Sequence, residues 1–127
     1  MEVDITWEPR GVCRTFRGDV TGRDVLESFV LINSDQRYDD VRYNILDFTH
    51  VGQWQTNEEE LRVLGAHNVG PGIYNPHVRV LVVTADPQLE TTARRYASLG
   101  LSPYPHEFFA SLEQARAWIA QNLPTRA

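Results

Sequence analysis

Two short stretches of the chain place proton-handling side chains at the end of an apolar run. Residues 41–48 (VRYNILDF) carry Asp47 and are followed by Thr49 and His50, and residues 77–84 (HVRVLVVT) end in Thr84 with Asp86 just beyond. A carboxylate, a hydroxyl and an imidazole are the groups that accept and donate protons in binding and in acid–base chemistry. Where they leave the ends of buried strands in an open α/β sheet, they stand at the edge where ligands bind. Asp47, Thr49, His50, Thr84 and Asp86 are therefore candidate ligand or partner contacts. Trp54, between Gln53 and Gln55, is expected in an exposed loop, an uncommon use of a residue that often anchors partners. Tyr74 lies in a loop-rich segment, residues 65–76 (GAHNVGPGIYNP), expected to act as a flap beside the same edge.

Catalysis has less behind it. A Ser/His/Asp group needs its nucleophile on a sharp, glycine-flanked turn, and the chain has no G-x-S-x-G, no phosphate-binding glycine loop and no G-x-G-x-x-G. Ser28, Ser34, Ser98, Ser102 and Ser111 all fit helix, loop or cap positions. An enzyme using Asp47 and His50 stays as an alternative, with no catalytic residue assigned. His50, His67, His77 and His106 show none of the i, i+4 spacing that metal pairs use, so neither a metal nor a cofactor is expected.

The elements that must position these residues follow from periodicity and turn chemistry. Val3, Ile5 and Trp7 alternate with polar residues, residues 8–11 (EPRG) make a turn, and residues 12–16 resume an extended pattern, giving a β-hairpin. Thr21 with Asp24 starts a first helix whose apolar face is Val25, Phe29 and Ile32. After the strand at 41–48, Thr56 with Glu59 matches a capping box and starts a second helix through Leu61, Leu64 and His67. Gly70-Pro71-Gly72 is expected to break it. The strand at 77–84 is apolar throughout, which suits a central place with both faces covered. Asp86-Pro87 caps a third helix lined by Leu89, Ala93, Tyr96 and Ala97 and stopped at Gly100. A short strand at 106–109 leads to Ser111 and Gln114, the start of a last helix with Ala115, Trp118, Ile119 and Leu123 inside and Pro124 at its end. The order is ββαβαβαβα. Hence the expected class is α/β, with a mixed, mostly parallel sheet behind an N-terminal β-hairpin.

Composition narrows the partners. The 127 residues suit one domain spanning residues 1–127, and 42% hydrophobic with 23% charged residues is ordinary for a soluble globular protein. A net charge of −5, from 17 acidic and 12 basic residues, argues against a nucleic-acid surface. Every basic residue is an arginine, as in proteins from GC-rich genomes. No apolar run approaches the roughly 20 residues that span a bilayer, so stable membrane insertion is not expected. The N-terminus lacks a secretory pattern and Cys13 is the one cysteine, which fits a reducing cytoplasm. Cys13 itself reads as a small strand residue. A homo-oligomer stays open, with Trp7 on the hairpin edge as a pairing candidate.

This order of elements, with these residues, resembles the SpoIIAA-like fold shared by STAS domains and a group of small bacterial relatives, from about residue 3 to 123. Asn44-Ile45-Leu46-Asp47-Phe48-Thr49-His50-Val51 is similar to the "ILD-hydrophobic-x-x-V" strand of STAS domains. The segment from Phe109 through Ala115 to Trp118 is similar to the "F-x-x-x-x-x-A-x-x-W" ending of the small relatives. The resemblance implies a non-catalytic binding or regulatory module that engages a protein partner or, since related folds include lipid carriers, a small apolar or lipid-like ligand. In the family's anti-sigma-factor antagonists, the helix after this strand opens with a phosphorylated serine preceded by Asp. The corresponding pair here is Gln55-Thr56, so the resemblance implies a phospho-switch at Thr56. The chain departs from that pattern with Gln55 for the acid and Glu58 for a glycine. Glu58, Glu59 and Glu60 would repel a phosphate, and an N-cap role accounts for Thr56 without one.

Overall fold

The computed structural model describes residues 2–100 and 102–123, and Pro124, expected to close the last helix, lies outside them. Five strands and four α-helices follow the expected order: β1 (Glu2–Glu8), β2 (Gly11–Thr21), α1 (Gly22–Asn33), β3 (Tyr43–Gln55), α2 (Glu58–Tyr74), β4 (Arg79–Val83), α3 (Pro87–Ser98), β5 (His106–Phe109) and α4 (Leu112–Asn122). A 3-10 turn, Gln36–Asp40, joins α1 to β3. The strands lie side by side in chain order. β1 pairs antiparallel with β2, and β2, β3, β4 and β5 are parallel, as crossover helices require.

Side-chain alternation divides the core into two layers. Val12, Phe16, Leu46, Phe48, Val80 and Val82 face α1, α2 and α3, meeting Val25, Phe29, Ile32 and Leu89. Cys13, Tyr43, Ile45, Leu81 and Val83 face α4, where Ala115 is fully buried and Trp118 and Ile119 pack beside it. β4 is thus covered on both faces, which explains its apolar run.

Three local features differ from the sequence-based expectation. First, β2 and β3 run on beyond β4 as a two-stranded ribbon, pairing Arg17 with His50, Val20 with Trp54 and Thr21 with Gln55. Register shifts at Thr15/Arg17 and Gly18/Asp19 let the ribbon bend, and Gly18, at φ 73°, takes the left-handed conformation such a bulge needs. Gly18 therefore bends the strand rather than ending it. Second, α2 passes through Gly70-Pro71-Gly72 and ends at Tyr74, so most of the expected flap is helix. The missing Pro71 N–H removes one helical hydrogen bond. Tertiary contacts offset this: Gly72 packs against Pro103, and Asn75 donates from Nδ2 to the carbonyls of Tyr38 (3.0 Å) and Val41 (2.8 Å). Third, the N-cap of α2 is Asn57, whose Oδ1 accepts from the Glu60 N–H at 2.9 Å; Thr56 stands one residue before it.

The remaining helix starts form as expected. Thr21 and Asp24 make a reciprocal capping box, Asp86 accepts from the Gln88 N–H with Pro87 at the first turn, and Ser111 accepts from the Gln114 N–H. No described helix is long and apolar enough to cross a membrane.

Candidate functional site

Parallel strands deliver their C-terminal ends, and the starts of the following helices, to one edge of the sheet. There a groove of about 550 Å³ opens among Thr21, Trp54, Thr56, Asn57, Gln88 and Thr92. It adjoins a second hollow of about 380 Å³ that Asp86, Gln53 and Trp54 line. The groove thus gathers the N-cap of α1 (Thr21) and the N-cap of α2 (Asn57), with the N-cap of α3 (Asp86) in the adjoining hollow. Its lining is mostly amide and hydroxyl, with Glu60 the charged group. Helix N-termini bring outward N–H groups to the same edge.

Trp54, with Gln55 and Gln88, is common to both hollows, but it is not on a loop. It sits near the end of β3, half-buried, with its ring 5.5 Å from that of Phe48 in an edge-on arrangement. Its indole N–H is buried and has no acceptor among the described residues. Thr56 is half-buried at the groove floor, with its hydroxyl donating to Glu60 Oε1 at 3.1 Å. Packing of α1 against α2 holds it there, because Gly22 leaves room for the Thr56 hydroxyl and nothing larger. The carboxylates that follow are only partly free. Arg95 reaches from α3 to Glu58, and that guanidinium holds the Glu58 carboxyl below its ordinary range.

The other sequence candidates separate. Asp47 is buried on the α4 face, where one carboxylate oxygen accepts from the Thr49 N–H (2.9 Å) and the Thr49 hydroxyl (2.6 Å). That local turn ends the apolar part of β3. His50 is exposed on the ribbon, and no hydrogen bond joins it to Asp47 among the described residues. Thr84 is buried, its hydroxyl accepting from the Asp86 N–H at 3.1 Å. Tyr74 is 88% exposed at the far end of α2, beside Asn75, whose partners precede β3; it belongs to the opposite edge of the sheet. The structure therefore brings together Trp54, Thr56 and Asp86, leaves Asp47 and Thr84 as buried turn-formers, and separates Tyr74 from the edge. Among the described residues, no group of three or more His, Cys, Asp or Glu side chains could hold a metal ion.

A second polar cluster, inside the core, went unnoticed in the sequence. Arg14, on β2, is 2% exposed and points into the layer of α1, α2 and α3. Its guanidinium donates to Ser28 Oγ (2.8 Å), Asn44 Oδ1 (3.2 Å) and the Val25 carbonyl (3.4 Å), and lies 5.8 Å and 5.9 Å from the rings of Phe16 and Phe29. Burial pulls its pKa down to about 10. Nearby, Asn68 donates to the Tyr96 hydroxyl at 3.0 Å, and burial pushes the His106 imidazole below its ordinary value. Strand alternation does contain the signal. Arg14 stands two residues from Val12 and from Phe16, and Asn44 two residues from Leu46, so both are polar residues at core-facing positions.

Known proteins support the architecture. No family model and no curated protein matches the chain. Among solved structures, the anti-sigma factor antagonist SpoIIAA in its unphosphorylated form superposes with a TM-score of 0.60 at 10% identity, covering 96% of this chain and 100% of that one. This chain has the SpoIIAA-like fold. At such low identity the likeness extends to the fold and not to individual residues.

Proposed function

We propose that this SpoIIAA-like domain is a non-catalytic binding module that engages a protein partner at the edge where α1, α2 and α3 begin. The observation that carries this is the convergence of Thr21, Asn57, Thr56, Gln88 and Thr92 around one open groove, with Trp54 lining both it and the adjoining hollow. Amide and hydroxyl groups beside exposed helix starts complement a peptide's carbonyls and carboxylates better than they complement a lipid. SpoIIAA is an antagonist of another protein, an anti-sigma factor, which favours the same kind of partner here. An intracellular, cytoplasmic setting fits a regulator with one buried cysteine.

The test is co-purification from the native host, comparing tagged wild type with the doubly substituted Gln88→Arg, Thr92→Arg chain. Both positions lie on α3 at the groove, Gln88 exposed and Thr92 half-buried. A protein retained in near-stoichiometric amount by wild type and reduced at least tenfold by the variant is expected, with unchanged thermal unfolding. Equal retention by both chains would sink the proposal. Phosphoregulation at Thr56 is the less favoured mode, since a phosphate there would displace the Thr56–Glu60 bond and meet three carboxylates. Intact mass after purification from the host tests it, the expected result being no phosphorylated species and no change on Thr56→Ala.

A further inference from the structure

Arg14 is a buried cation with no counter-ion among the described residues. Its partners are a hydroxyl, an amide oxygen and a backbone carbonyl, all neutral, and its Nε–H has no acceptor among the described residues. A charge held this way costs several kcal/mol that an opposite charge would offset. Five N–H donors also prefer a planar pair of oxygens to the scattered acceptors present.

The space beside it has a defined polarity. Arg14, Asn44, Asn68, Ser102 and His106 line a small lobe of about 40 Å³ together with apolar side chains. This lobe shares Leu46, Leu64, Val80 and Tyr96 with a neighbouring lobe of about 60 Å³, which reaches Phe48, Trp54 and Leu89. The second lobe is apolar in lining. The two form a slot between the sheet and α1, α2 and α3, with one cation at one end and hydrocarbon at the other. It is distinct from the edge groove, sharing with it only Trp54 and Thr92.

We propose that this slot binds a short-chain monocarboxylate, with its carboxylate on Arg14 and its alkyl tail in the apolar lobe. One arginine balances one negative charge. The other polar groups of the slot are neutral amides and hydroxyls plus His106, whose burial favours the neutral imidazole. A phosphate dianion would bring more charge than the site can meet. Size sets the tail. A dry cavity of about 150 Å³ accepts a benzene, and the lobes of about 40 and 60 Å³ are smaller even together, so they suit a carboxyl group with a tail of one or two carbons and exclude a fatty acid. Beside the slot, the seam between α2 and α3 is held by the Glu58–Arg95 ion pair and the Asn68–Tyr96 hydrogen bond, the two contacts that entry along it would have to open.

The experiment is calorimetric titration of the intact protein at constant ionic strength with acetate, propionate, hexanoate, chloride, 1-propanol and propylamine. Propionate should bind at one site per chain, at least threefold more tightly than acetate, with no binding by hexanoate, chloride, the alcohol or the amine. In ¹⁵N spectra the Arg14 Nε–H resonance should move on saturation with propionate. Ala93→Leu, which fills the apolar lobe from α3, should weaken propionate at least tenfold and leave acetate within twofold. Arg14→Gln should abolish carboxylate binding, if it folds. Absence of carboxylate binding at every chain length overturns the proposal, as does equal binding of propionate and 1-propanol, or indifference of propionate to Ala93→Leu. These outcomes are independent of the edge groove, which none of the substitutions occupies.

Discussion

Glu8, Tyr43 and Arg116 form the densest ionic contact on the α4 side. The Arg116 guanidinium, bidentate on Glu8 with one N–O distance of 2.6 Å, ties α4 to the end of β1, and the Tyr43 hydroxyl donates to the same carboxylate. Arg116, opposed by partial burial, holds the Glu8 carboxyl below its ordinary 4.5. A depressed carboxylate contributes stability that is complete above its unfolded pKa and lost as the pH falls through the folded one. Glu8→Gln should therefore lower stability by about 1–2 kcal/mol at neutral pH. The difference from wild type should shrink as the pH falls below 4.5 and through the lowered folded value, measured by urea unfolding across that range. Cys13 supplies a second prediction. Burial pushes its thiol pKa up, so an aromatic disulfide reagent should not label it at about pH 8 until the chain unfolds. The strand-residue role of Cys13 was legible from its place between Val12 and Arg14. The pairing of Glu8 with Arg116 was not, because 108 residues of chain separate them.

At the scale of elements, α2 shows how packing overrides local preference. Its sequence holds three glycines and a proline over residues 65–72, and it carries apolar residues on both sides: Leu61 is buried while Val69 and Ile73 are exposed. No clean amphipathic stripe is present, and the breakers suggest a loop. The helix persists because Gly65 and Gly72 are buried, Gly72 where an added Cβ would meet Pro103, and Asn75 fastens its end. Gly72→Ala should destabilise by about 1–3 kcal/mol through its clash with Pro103. Gly70→Ala, with open space around it, should stabilise by about 0.5–1 kcal/mol. Thermal unfolding of the two single variants, moving in opposite directions, checks the helix directly; parallel changes would contradict it. The ribbon of β2 and β3 makes the same point for strands. Gly18 carries the usual mark of an ending, yet cross-strand pairing with β3 carries β2 on to Thr21 and brings Trp54 against Phe48.

For the whole molecule, the asymmetry of the two layers matters most. Three helices cover one face, while α4 alone covers the other. Trp118, whose ring lies 6.2 Å from that of Phe109, is a large part of that single cover. Trp118→Ala should cost about 2–4 kcal/mol and expose the face around Ile45 and Leu81, raising dye binding to apolar surface before global unfolding. By itself, the sequence determined the order of the elements, three of the four helix caps and the parallel sheet, because periodicity, capping and crossover length act over a few residues. It also pointed to the strand-end edge. Only the tertiary structure decided which residues meet there, since that depends on register, on the bend at Gly18 and on the packing of α1 against α2. Arg14 belongs to the same category. Its type and position were visible in the chain, but its burial without a counter-charge exists only once α1, β3 and α2 close around it.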